Sequence, residues 1–282
     1  MSYEAEISRA NPTCFFFLID QSSSMLDPIM GVQGNPSKAD FVADAINRII
    51  QSLVVTATKD LGVLRYYQVG ALGYGNIITS PLSYISSDQN LIWIDDLAAS
   101  PIRIEDREKL ESDGAGGVIK VTTKFPLWIE SYALGRTPMC DALGRVKLIV
   151  ENWVQEHPNS YPPTIINFTD GEANDDGDPS AICQALKSVR TNDGDTLVFT
   201  LHVSSNQFSQ SVVCPDVDEL LPDTPSKRMF DMSSSLTDSM IKMAKDDFQI
   251  DLPIGAKAFV YNANIEQLVT LLDIGTRPSN MR

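Results

Sequence analysis

Residues Thr13 to Ile19 read TCFFFLI, a continuous apolar run that closes on Asp20. A strand with one solvated face alternates apolar and polar residues. A run without alternation reads as a strand buried on both faces, which requires a mainly parallel sheet with helices on either side. The rest of the chain keeps that rhythm. Ser37 and Asp40 make a capping-box-like start for a helix from Lys38 to about Thr58, with Phe41, Val42, Ala45, Ile46, Ile49, Ile50, Leu53 and Val54 at helical spacing. Arg65 to Gly73 reads as the next strand. Thr137 precedes Pro138, the expected first residue of a helix that runs to about Glu156 and stops at His157-Pro158. Strands are expected at Thr164 to Thr169 and Thr196 to Ser204, with a helix between them opened by Asp178-Pro179 and reaching about Val189. A short strand at Met229 to Met232, a helix from about Leu236 to Asp247 and a last strand from Ala258 to Tyr261 follow. Asn264 caps a final helix, with Gly275 placed beyond its end.

This alternation predicts an α/β fold: a doubly wound, mainly parallel sheet flanked by helices and joined by right-handed crossovers. With 282 residues and 43% hydrophobic content, one large domain over residues 1–282 is the simplest organisation. The segment from 76 to 135 stands outside the rhythm. It holds strand-like pieces at 91–94 and 118–123, the charged stretch EDREKLESD and a Gly-rich turn at 114–117. A hairpin-like insertion is expected there.

The formal net charge of −15 repels nucleic acid, which needs a basic patch. The opening MSYEAEISRANP has no apolar signal segment, and no run reaches the ~18 apolar residues of a membrane span. A cytoplasmic protein with no membrane or nucleic-acid partner is expected. Cys14, Cys140, Cys183 and Cys214 have no metal or redox spacing and read as buried free thiols. There are two histidines, His157 and His202, too few for a multi-histidine zinc site.

Ligands of a doubly wound sheet bind at the carboxyl ends of its strands. Three loops fall there: Asp20-Gln21-Ser22-Ser23-Ser24, Gly135-Arg136-Thr137-Pro138 and Asp170-Gly171-Glu172. They offer two carboxylates and three hydroxyls. These are hard oxygen donors suited to Mg²⁺, with a position open for a carboxylate from elsewhere. D-x-S-x-S after a buried strand, G-x-T-P before a helix and T-D-G after another strand together resemble the metal-ion-dependent adhesion site of the von Willebrand factor A (VWA) domain family. The resemblance spans residues 12 to 275 or so. It implies that Ser22, Ser24 and Thr137 ligate a metal through their hydroxyls. Asp20 and Asp170 then act directly or through water, and a partner's Asp or Glu completes the ion. The ion is expected to be Mg²⁺, with Mn²⁺ and Ca²⁺ as alternatives. Gln21 and Ser23 depart from many relatives, which often have Gly at the second position. GRTPMCDAL, PPTIINFTDGEANDDGDP and FVYNANIEQLVTLLDIGTRP resemble stand-alone members of the intracellular bacterial branch, which implies a stress or defence system with a protein kinase and a PP2C-type phosphatase.

Other signals are weaker. DGEANDDGD lacks the closing Glu of a calcium loop and reads as an acidic rim in which Asp175, Asp176 and Asp178 lie outside the metal's own ligands. Gly73-Tyr74-Gly75 lacks the third glycine of a dinucleotide fingerprint and reads as a close backbone approach near the metal loop. Asn167-Phe168-Thr169 is a glycosylation triplet in an expected buried strand. The expected function is a metal-dependent protein-binding module, not an enzyme. Two alternatives remain: a structural subunit whose metal is closed by its own protein, and a metal-dependent hydrolase. The hydrolase would want a histidine beside the site, and none is expected there.

Overall fold

The structure, a computed structural model, describes residues 3–29, 34–112, 117–171, 173–203, 210–262 and 265–276. The apolar run forms β1 (Thr13–Asp20), buried at every position. After a single 3-10 turn (Ser23–Leu26), α1 (Lys38–Ala57) starts on a complete capping box between Ser37 and Asp40. Next come β2 (Thr58–Lys59), β3 (Gly62–Val63), β4 (Tyr67–Tyr74), β5 (Ile78–Thr79), β6 (Ile92–Trp93), α2 (Ile94–Ala99), β7 (Arg103–Ser112) and β8 (Val118–Leu127). The second half holds α3 (Met139–Glu156), β9 (Thr164–Thr169), α4 (Pro179–Lys187), β10 (Leu197–His202), β11 (Val212–Val213), α5 (Thr224–Met232), α6 (Asp238–Phe248), β12 (Phe259–Tyr261) and α7 (Ile265–Thr276).

The main sheet runs β11-β12-β10-β9-β1-β4-β5, with β6 also on β4. The five central strands are parallel; β5, β6 and β11 are antiparallel edges. From β1 the chain winds outward to β4, then returns through α3 to β9 on the other side of β1 and continues outward to β10 and β12. The order therefore reverses between β1 and β9, and Asp20 and Asp170 leave the sheet on either side of that switch point.

Alternation along β1 assigns its two faces. Phe15, Phe17 and Ile19 join the core built with α1, α6 and α7, while Phe16 and Leu18 join the core built with α3, α4 and α5. The mainly parallel α/β architecture expected from the apolar runs is the observed one. All four thiols are free and buried. No helix of the described residues is long and apolar enough to cross a membrane.

Several local expectations are corrected. The hairpin-like excursion expected within 76–135 is present, but it is longer than the strand piece at 118–123: EDREKLESD lies in β7, which pairs with β8 over ten residues as a separate antiparallel ribbon. Ribbon charges pair across it, Lys120 with Glu108 and Lys124 with Asp106, and among the described side chains the buried apolar ones, Phe125 and Leu127, lie at its root. A strand that buries neither face along most of its length shows no alternation to detect. The turn at 114–116 lies outside the described residues.

Met229 to Met232 is helix rather than strand. Asp223 and Ser226 form a capping box with Pro225 in the first turn, and Met229 and Phe230 follow Ser226 at helical spacing on the buried face. Pro138 is the residue before helix α3, not its first. Gly275 lies inside α7 rather than beyond it. A Cβ there would come within 2.7 Å of the Phe199 ring, so close packing onto β10 fixes the glycine. Asn264 lies outside the described residues.

His202 ends β10 with its ring stacked on Tyr261, 4.5 Å between centroids, and its Nδ1 accepts from the Asn262 amide at 3.3 Å. Burial pushes the imidazole down to about 4, while the Asp170 carboxylate opposes that shift. Between about pH 6.5, the unfolded value, and pH 4 the unfolded chain binds the extra proton, so stability falls as pH drops through this window. The loss approaches about 3 kcal/mol by pH 4. The stability difference between wild type and His202→Asn, from urea unfolding, isolates this group from the other titrating side chains and is expected to shift against the wild type with this slope from pH 7 to pH 4.5; a pH-independent difference would contradict the assignment.

Candidate metal centre

Asp20 closes β1 with no solvent exposure. Its Oδ1 accepts the Ser22 amide at 2.9 Å and its Oδ2 accepts the Thr169 hydroxyl at 2.8 Å. Burial pushes the carboxyl up to about 6; the Ser22 and Thr169 bonds oppose that rise, and the nearby Asp170 charge adds to it. A cation set beside Asp20 would reverse the shift.

From Asp20 the chain enters the 3-10 turn, and the serines project into one line of contacts. The Ser22 and Ser24 hydroxyl oxygens lie 3.0 Å apart, and Ser24 Oγ donates to Asp170 Oδ1 at 3.0 Å. Four of the five sequence-predicted residues thus share one local network. The fifth, Thr137, is buried two residues after Gly135, which Ser23 of the metal loop binds, and is held through its backbone: its amide donates to Asn174 Oδ1 at 2.8 Å and its carbonyl accepts the Asn174 amide at 3.1 Å.

The departures at Gln21 and Ser23 have structural roles. Ser23 clasps the Thr137 loop to the metal loop: its amide donates to the Gly135 carbonyl at 3.0 Å and its Oγ accepts the Gly135 amide at 2.9 Å. The Gln21 side chain lies across Gly73, where a Cβ would come within 2.1 Å of it, and a Cβ at Gly75 would come within 2.6 Å of the Gln21 carbonyl. The Gly73-Tyr74-Gly75 stretch is therefore the close approach expected beside this loop. Asn167 is fully buried and accepts the Tyr74 hydroxyl at 2.8 Å, which fits its reading as a strand residue.

Three contributors were missed in the sequence. Asn174 fastens Thr137, as above. Asp175 accepts the Cys140 and Asp141 amides at 3.2 and 2.9 Å, capping α3 from the neighbouring loop, while Asp178 caps α4. The acidic rim is therefore partly a set of helix caps. Lys38, the first residue of α1, turns its ammonium onto Asp170 Oδ2 at 2.7 Å, with the Ser24 carbonyl at 3.3 Å and Asp27 Oδ2 at 3.4 Å. No motif flags it, because it reads as an ordinary surface residue of a first helical turn. His202 is a further correction. It lies opposite Thr169 in the sheet and feels the Asp170 charge, so a histidine does stand beside the site.

Among the described residues no three His, Cys, Asp or Glu side chains cluster as a metal-binding group. The donors gathered here are two carboxylates and three hydroxyls, a hard, mostly neutral set. That composition fits a magnesium-like ion that keeps some of its water, and does not fit a soft or nitrogen-seeking metal. Around this end of the sheet, Leu26, Ile77 and Leu134 are exposed large apolar side chains. Leu26 belongs to the metal-loop turn, and Leu134 donates its amide to the Gln21 carbonyl at 2.6 Å.

Asn174→Ala is expected to loosen Thr137 with a stability loss of about 1 kcal/mol. Divalent-ion affinity should fall about tenfold or more, as for other residues that orient a ligand. Calorimetric Mg²⁺ titration checks this; undiminished affinity would show that Asn174 does not position Thr137.

No protein-family model matches the chain, and no curated protein matches it. Among solved structures, the chain is similar to proximal thread matrix protein 1 from the mussel byssus, at 12% identity and a TM-score of 0.49, over 95% of this chain and 46% of that one. The same protein with a zinc-occupied MIDAS motif gives 12% identity and a TM-score of 0.47, over 96% and 48%. The vWF domain of the type V pili tip protein Mfa5 from Porphyromonas gingivalis gives 13% identity and a TM-score of 0.34, over 58% and 39%. The chain spans less than half the length of each of these structures. The chain itself has a mainly parallel α/β fold, and Asp20, Ser22, Ser24, Thr137 and Asp170 lie on loops gathered about the switch point of its sheet.

Proposed function

We propose that this chain is a cation-dependent protein-binding module. Asp20, Ser22, Ser24, Thr137 and Asp170 would hold one divalent ion, Mg²⁺ by donor chemistry, with Mn²⁺ and Ca²⁺ also compatible with oxygen ligands. When bound, the ion supplies a Lewis-acidic position that accepts a carboxylate. An Asp or Glu of a protein partner completes it. The observation that carries this reading is the continuous contact line from Ser22 through Ser24 to Asp170, beside a buried Asp20 whose carboxyl is poorly solvated. A protein of net charge −15 repels an acidic partner, so the cation decides whether that partner docks. Leu26, Ile77 and Leu134 offer apolar contact around the polar centre, as in other interfaces.

Binding is favoured over turnover. His202 has Nδ1 occupied by the Asn262 amide and its ring stacked on Tyr261, which makes the ring a strut and leaves it poorly placed as a general base. The sequence resemblance to stand-alone members of the bacterial branch extends the proposal to a cytoplasmic stress or defence system. A protein kinase and a PP2C-type phosphatase are the partner class proposed there.

Mg²⁺ at about a hundredfold its dissociation constant should stabilise the wild-type fold by about 2.7 kcal/mol. Asp20→Asn should remove this gain, and partner capture from lysate should disappear in the variant and in EDTA. Capture that persists unchanged in both would overturn the docking proposal. Hydrolysis of phosphate or peptide substrates that is lost in Asp170→Asn would favour the hydrolase instead.

A further inference from the structure

Lys38 is placed where a cation is otherwise wanted. Its side chain is 7% exposed and that of Asp170 is 5% exposed, so the pair is largely withdrawn from water. The two Asp170 oxygens are divided: Oδ1 accepts the Ser24 hydroxyl and Oδ2 accepts the Lys38 ammonium. The ammonium also reaches the Ser24 carbonyl, so it is bound to two residues of the metal motif. Its remaining partner, Asp27, is 59% exposed and lies 3.4 Å away, a weaker hold than Asp170 provides. The α1 capping box and the bond from the Lys38 amide to the Asp27 carbonyl at 3.0 Å fix where the side chain starts.

Resting on the metal-docking reading above, we propose that Lys38 is a built-in counter-cation of the site, competing electrostatically with the divalent ion for Asp170 and so setting the metal affinity. Without metal, the ammonium neutralises one of the two motif carboxylates. With metal, two cations share Asp170, and their repulsion weakens metal binding. The same charge has a second effect on the loaded site. Two carboxylates, one ammonium and a divalent ion leave a net positive centre, which favours an anionic completing group over a neutral one.

The test is Mg²⁺ titration by calorimetry of the wild type, Lys38→Met and Lys38→Gln, with thermal melts in EDTA and in saturating Mg²⁺. Lys38→Gln keeps a hydrogen-bond donor near Asp170 and serves if the methionine variant fails to fold. The neutral variants are expected to bind Mg²⁺ about tenfold tighter or more. They should melt lower than wild type in EDTA, with Mg²⁺ closing the gap. Binding seen only in the variants would be the extreme form of the same result. Equal or weaker affinity in a folded neutral variant overturns the role of Lys38 while leaving the metal site intact. Absence of Mg²⁺ binding in wild type and variants alike overturns both readings.

Discussion

A carboxylate with no solvent exposure at the end of a wholly apolar strand is the constraint on which the rest of this structure depends. Asp20 cannot be hydrated, so the chain surrounds it with donors: the Ser22 amide and the Thr169 hydroxyl. Those two bonds fold the loop after β1 back on itself and tie it to β9. The sheet order then brings Asp170 alongside, because β1 and β9 are neighbours across the switch point. Two acidic groups in one poorly solvated crevice require positive charge. The structure supplies part of it as Lys38, and the geometry leaves hydroxyl oxygens facing the remainder.

The surrounding loops serve this arrangement. Ser23 and Gly135 exchange two hydrogen bonds, Asn174 grips Thr137 from two sides, and Gln21 fills the space that glycine leaves at Gly73. The three contacts join three different pairs of segments, so the motif positions are held by a connected set of contacts rather than by one flexible turn. The result is a site whose groups are ordered before any ligand arrives, which lowers the entropy lost on binding.

The parallel core was readable in the sequence because burial on both faces leaves a direct mark, as in TCFFFLI and TIINFT. The helices α1 and α4 were readable because the capping box and the Asp-Pro start that open them lie within a few residues, whereas the capping box that opens α5 was overlooked behind its apolar run Met229–Met232. In the insertion a hairpin and the start of β8 were readable, but β7 was not, since a charged strand that gains little from burial leaves no periodic trace. At the site, the five motif residues could be named from spacing. Lys38, Asn174 and His202 could not. Their importance comes from contacts with residues 132, 37 and 33 positions away, which only the fold creates.

The central claim is that the hydroxyls and carboxylates at the switch point hold a divalent ion. The most direct measurement is an anomalous difference map from a crystal soaked in Mn²⁺. The account predicts one strong peak within ligand distance of Ser22, Ser24 and Thr137, with Asp20 and Asp170 beside it or one water removed. No peak there, or a peak held only by the acidic rim at Asp175 and Asp176, would contradict it.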